Sequence, residues 1–131
     1  MMTKMIIAGL TAVLLATAGL VPAQQGSARV IAIAASGKTL SASVSSQAGR
    51  SPYFLLVDTK GALVGAVDNP YKDSGNAGIP TLDFLAGKGV NVLVAESFGS
   101  RIVEVMKGKG MRPVEFKGIA KDAVRKALGA K

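Results

Sequence analysis

The chain has no cysteine, no histidine and no tryptophan. Without cysteine there is no disulfide framework, no thiolate and no lipidated N-terminal cysteine. Without histidine there is no imidazole to act as a general base or metal ligand near neutral pH. The two soft ligand types for transition metals are thus both missing, and a zinc or copper site built from side chains is not expected. Nucleophilic catalysis would have to rest on a serine–lysine arrangement such as Ser36 with Lys38, a pairing that loops produce by chance. Aromatic residues make up only 5% of the chain, so Val, Ile, Leu and Ala must fill the core.

Acidic residues are few as well. There are eight, none before Asp58, and most fall at turns or on helix surfaces rather than in pairs suited to acid–base work. Glu96 differs in closing an apolar strand, where it reads either as a ligand or base or, more plainly, as a strand-end acid facing water. The formal net charge is +8, and Arg101 to Lys131 holds nine basic against three acidic residues. Such a balance favours an anionic partner: a small anion, a polyanion or an anionic lipid surface.

The N-terminus has its own pattern. Met1 to Lys4 carries one positive charge, Met5 to Val21 is uncharged and rich in Ala, Leu and Ile, and Val21-Pro22-Ala23 supplies a small-residue exit. This layout predicts a secretory signal peptide over residues 1–23, cut after Ala23, and hence a periplasmic or secreted protein. The competing reading is a retained membrane anchor, for which seventeen apolar residues is at the short end. Residues 24–29 read as a linker and residues 30–131 as one domain. An exported protein is not expected to meet nucleic acid.

Within that domain, Arg29 to Ala35 reads as a strand buried on both faces, followed by Ser36-Gly37-Lys38. Leu40 to Arg50 has no clean period and reads as a loop of about ten residues, a length that is often functional. Tyr53–Val57 and Ala62–Val67 read as a hairpin around Asp58-Thr59-Lys60-Gly61. A first helix is expected from Ile79, with Pro80 at its first position, Asp83 in its first turn, and Ile79, Leu82, Leu85 and Ala86 on its inner face. Val90–Ala95 is the fourth strand, and Ser100 is the expected N-cap of a helix over Arg101–Lys107. Pro113–Phe116 is the last strand. A final helix follows Gly118, with Ala120, Ala123, Val124, Ala127 and Leu128 inward and Lys121, Arg125 and Lys126 outward.

The order β-β-β-α-β-α-β-α predicts a mixed five-stranded sheet flanked by helices, with a right-handed βαβ crossover in its second half. In open α/β sheets, ligands sit beyond the carboxyl ends of the strands. Three small, glycine-containing segments suit an anion there: Ser36-Gly37-Lys38, Gly75-Asn76-Ala77-Gly78, and Ser97-Phe98-Gly99-Ser100-Arg101. Ser45 lies in the loop between them. Lys38, Arg50 and Arg101 would add positive charge.

The segments VIAIAASGKTL, SVSSQAGRSPYFLLVD, VDNPYKDSGNAGIPTLDFLAGKGVNVLVAESFG and IAKDAVRKAL, with the spacing of Gly49-Arg50, Pro52-Tyr53-Phe54, Asn69-Pro70, Gly75, Gly78 and Gly99, resemble the dinitrogenase iron–molybdenum cofactor-binding family from about Val30 to Leu128. The resemblance implies a ribonuclease H-like α/β fold with strand order 3-2-1-4-5 and the second strand antiparallel. A nuclease of that fold carries a metal-binding Asp on its first strand; Ala32, Ala34 and Ala35 stand there instead. The resemblance also implies binding, storage or delivery of an anionic metal–sulfur cluster or its precursor, a molybdenum, iron or copper sulfide that brings its own ligands. For an exported member that means a thiometallate, an oxyanion or an iron–sulfide species rather than cytoplasmic nitrogenase assembly. The alternative is an interaction module without a small ligand, its basic last helix docking on an acidic protein or anionic membrane.

Overall fold

The computed structural model describes residues 30–129. The expected signal peptide, its cut after Ala23 and the linker lie outside those residues. Five strands form one sheet: β1 (Val30–Ala35), β2 (Tyr53–Val57), β3 (Leu63–Asp68), β4 (Val90–Ala95) and β5 (Arg112–Glu115). Three helices flank it: α1 (Gly78–Ala86), α2 (Ser100–Gly108) and α3 (Ala120–Gly129). The sheet order is β3-β2-β1-β4-β5, as the resemblance implies. β2 runs antiparallel to β1 and β3, while β1, β4 and β5 are parallel.

β1 and β4 are central and almost wholly apolar, because both faces of the sheet are covered. On one face Ile31, Ile33, Leu55, Val92 and Val94 pack under α3 through Ala120, Ala123, Val124 and Ala127. On the other, Ala32, Ala34, Phe54 and Leu93 meet Leu82 and Leu85 of α1 and Met106 of α2. The alanines of β1 and α3 stand where bulkier residues would hold the layers apart. The β2–β3 turn closes with the Asp58 N–H donating to Ala62 O, and Gly61 takes φ 87°, a conformation open to glycine at little cost.

Several boundaries differ from the sequence expectation, and each has a local reason. α1 begins at Gly78, so Pro80 is its third residue and Asp83 lies beyond the first turn. Its inner face is Thr81, Leu82 and Leu85; Ala86 is exposed and Ile79 half-buried. Thr81 turns inward because its hydroxyl donates to buried acceptors, Gly49 O at 3.0 Å and Asn69 Oδ1 at 3.2 Å. α2 begins at Ser100, with Gly99 as its N-cap, so Ser100 does not cap it. Leu128 stays 38% exposed at the end of α3.

Candidate anion-binding cleft

The segment after β1 divides in two. Residues 36–43 fold onto the α3 face: the Ser36 N–H donates to Ser43 O, and the N–H groups of Ala120 and Lys121 donate to Ala42 O and Leu40 O. This loop therefore satisfies the amino end of α3. The chain then crosses the carboxyl ends of β1 and β4. The Ser45 N–H donates to Ala34 O at 2.8 Å, the Glu96 N–H donates to Ser45 O at 2.9 Å, and the Ser97 hydroxyl donates to Ser46 O at 2.8 Å. The switch point between β1 and β4 is thus filled by the protein's own backbone.

Beyond it, on the α1–α2 face, lies a cleft of about 440 Å³. Its walls are the Gln47–Arg50 loop, Gly75–Ile79 at the start of α1, and Ser97–Gly99 with Arg101 and Ile102 at the start of α2. The three walls touch. A Cβ on Gly49 would lie 2.8 Å from Gly78 Cα, and one on Gly78 would lie 2.6 Å from Ile102 Cδ1. At Gly49 the obstacle is backbone, so glycine is required there; at Gly78 it is the flexible end of the Ile102 side chain, which can give way at some cost. A buried network fixes the Gly49 turn from behind: Asn69 Nδ2 donates to Gly49 O and Ser51 O, each at 3.0 Å, and Asn69 Oδ1 accepts from the Tyr71 N–H. Ser51 is buried and its hydroxyl lies 2.9 Å from that of Ser45.

The chemistry of the cleft follows from what opens onto it. Neither α1 nor α2 has a side-chain cap or an acid in its first turn. Among the described residues, the N–H groups of Gly78 and Ile79 and of Ser100, Arg101 and Ile102 have no protein acceptor. Two helix dipoles thus present their positive ends to one hollow. The lining holds two arginines and no acid. They differ in role: Arg50 is a strut, its guanidinium donating to Lys72 O at 3.0 Å and Gly75 O at 3.4 Å, so that it holds the 72–75 loop in place. Arg101 makes no ion pair among the described residues. Ala48, Ile79, Phe98 and Ile102 give the cleft an apolar floor. No group of three or more Asp and Glu side chains is arranged for a cation among the described residues.

Of the fourteen residues singled out from the sequence, the structure brings nine to this cleft: Arg50, Gly75, Asn76, Ala77, Gly78, Ser97, Phe98, Gly99 and Arg101. Ser100 is the first residue of α2 and Ser45 lies behind the wall, bonded to Ser51. Ser36, Gly37 and Lys38 are not brought there. Their loop lies on the α3 side, and Lys38 pairs with Asp68 at 3.4 Å and sits 5.3 Å from the Tyr53 ring centre. That places Lys38 at a second hollow of about 510 Å³, where Lys72 and Asp73 also pair and charges largely cancel. The three-loop cradle expected from the sequence is therefore a cleft between two helix starts and the Gly49 turn. Sequence reading left out Gln47, Ala48, Gly49, Ile79 and Ile102 as lining residues; the two isoleucines carry an ordinary core signal.

Comparison with known proteins adds to this geometry. A family model described as dinitrogenase iron–molybdenum cofactor matches residues 29–130. The apo form of the orange protein from Desulfovibrio gigas is similar at 28% identity and a TM-score of 0.70, over 76% of this chain and 87% of that one. A Thermotoga protein described as a candidate NifB is 30% identical with a TM-score of 0.67, over 78% and 89% of the two chains. A candidate dinitrogenase from Methanocaldococcus jannaschii, 13% identical with a TM-score of 0.55 over 77% and 88%, supports the fold alone. No curated protein sequence matches.

Proposed function

The chain belongs to the dinitrogenase iron–molybdenum cofactor family, and we propose that it is a non-catalytic carrier that binds, stores or delivers an anionic metal–sulfur cluster or thiometallate containing molybdenum or iron. The observation that carries this reading is the cleft itself: four lining residues at helix starts with unpartnered amides (Gly78, Ile79, Arg101, Ile102), Ser100 beside them, and two arginines around a hollow of about 440 Å³ with no acid in its lining. The chain has neither Cys nor His, so the guest would bring its own sulfide and be held from outside by amides and guanidinium. The apolar floor of Ile79, Phe98 and Ile102 favours a large, weakly hydrated anion. A small oxyanion loses more hydration on entering such a place. The one hydroxyl side chain in the lining, Ser97, donates to Ser46 O, and no carboxylate, amine or imidazole lines the cleft to activate it, which supports a binding role over a catalytic one. The apolar run Met5–Val21 supports export, and hence a carrier working outside the cytoplasm.

Titration with tetrathiomolybdate, followed by visible absorbance and by metal and sulfide analysis, tests the proposal. Saturable uptake at a fixed ratio is expected, weakened roughly tenfold in Arg101→Ala with the fold unchanged. A chain that takes up neither thiomolybdate nor iron sulfide would contradict it.

A further inference from the structure

The end of the sheet opposite the cleft is a separate surface. β1, β3, β4 and β5 all begin there, and the turns 58–62, 87–89 and 109–111 form its rim. Six exposed cations stand at this end: Lys60, Lys88, Lys107, Lys109, Arg112 and Lys126. Three acids accompany them, Asp58, Asp83 and Glu104, the last one turn before Lys107 on α2. The Asp58 carboxylate accepts the backbone N–H groups of Lys60 and Ala62, and Asp83 pairs with Lys109. Three of the four exposed large apolar side chains among the described residues, Leu63, Val64 and Leu128, lie here as well. Val64 is 62% exposed because it falls at the register shift opposite Leu56 and Val57. The 58–62 turn adjoins the end of α3, since a Cβ on Gly61 would lie 3.3 Å from Leu128 Cδ1.

A ring of cations around a few exposed apolar side chains complements a surface that is anionic outside and apolar beneath. The point of chain entry agrees. Val30 opens β1 at this end, and where the Met5–Val21 run is kept as an anchor rather than cut off after Ala23, only Pro22 to Arg29 separate it from the sheet. Eight residues span at most about 29 Å. We propose that this end seats on an anionic phospholipid bilayer, with the cleft facing away into solution. The inference stands apart from the identity of the guest in the cleft.

The test is cosedimentation of the purified full chain with mixed phosphatidylglycerol–phosphatidylcholine vesicles and with pure phosphatidylcholine. On the anionic vesicles, Lys60→Gln, Arg112→Gln and Lys126→Gln together are expected to weaken binding about a hundredfold, from roughly fivefold per cation. The same triple variant is expected to bind pure phosphatidylcholine as wild type does and to keep its tetrathiomolybdate uptake. Added salt should release the wild type from anionic vesicles toward the variant's level. The double variant Lys117→Gln, Lys121→Gln, at the other end of the molecule, should leave binding near wild type. Equal vesicle binding by wild type and the triple variant overturns the proposal, as does equal loss in the double variant. So does capture of an acidic protein by this end in the absence of any charge-dependent vesicle binding.

Discussion

The two ends of this molecule are built from the same materials and differ in how their backbone is satisfied. At the end where β1 and β4 finish, three helices begin. The amino end of α3 is satisfied by carbonyls of the 36–43 loop, while those of α1 and α2 are left open toward a common cleft. At the other end the helices finish and the charge is carried on lysine and arginine side chains at turns. One end offers fixed dipoles and short reach, suited to gripping a compact anion; the other offers mobile charges spread over a broad rim. Contrasting α3 with α1 and α2 teaches the more specific lesson. The fold can cap a helix start with its own loop, and it does so away from the cleft only.

That contrast can be broken first at its tightest contact. Gly49→Ala forces a Cβ against the Gly78 backbone, and a loss of about 1–3 kcal/mol in chemical unfolding is expected, typical of overpacking. Gly78→Ala should cost less, since the atom it meets is the flexible end of Ile102. Asn69→Ala removes the donor to two buried carbonyls, and about 1–3 kcal/mol should again be lost. Thr81→Val, which removes one hydroxyl from the same network, should cost about 1 kcal/mol. Equal stability of all four variants with wild type would mean that the Gly49 turn is not held from behind.

Smaller effects sharpen the comparison between the arginines. Arg50→Lys keeps the charge but loses the fork that donates to Lys72 O and Gly75 O, so it should loosen the 72–75 loop and speed its amide hydrogen exchange. Arg101→Ala should leave exchange there unchanged and act on anion uptake alone.

The smallest effect lies at the basic end. Hydrogen bonds from the Ala62 and Lys60 N–H groups hold the Asp58 carboxyl below its ordinary value of 3.8. A lowered carboxyl stabilises the fold above that value, and the contribution is lost as pH falls through its folded-state value. The melting temperatures of wild type and Asp58→Asn should therefore differ slightly at neutral pH and converge in acid. Divergence on acidification would contradict the assignment.

Much of the architecture was legible in the sequence. The apolar run Arg29–Ala35 announced a strand buried on both faces and Val90–Ala95 another strand, and glycine- and proline-bearing turns separated the rest. The adjacency of β1 and β4 came with the family resemblance, because strand order is not written in local periodicity. The cleft was half legible. Its glycine-rich segments and arginines stood out by type, but the path of residues 36–47 did not. Whether the Ser36–Lys38 loop goes to the α1–α2 face or the α3 face depends on long-range bonds such as Val44 N–H to Gly118 O. Thr81 was hidden for a similar reason, since its partners lie twelve and thirty-two residues away.

The most direct test of the cleft as an anion site is an amide chemical-shift map of the protein during titration with tetrathiomolybdate. The account predicts saturable shifts at the N–H groups of Gly78, Ile79, Ser100, Arg101 and Ile102, with Lys60, Lys88 and Lys126 unmoved. Shifts confined to the lysine-bearing end, or to the amino end of α3, would contradict it.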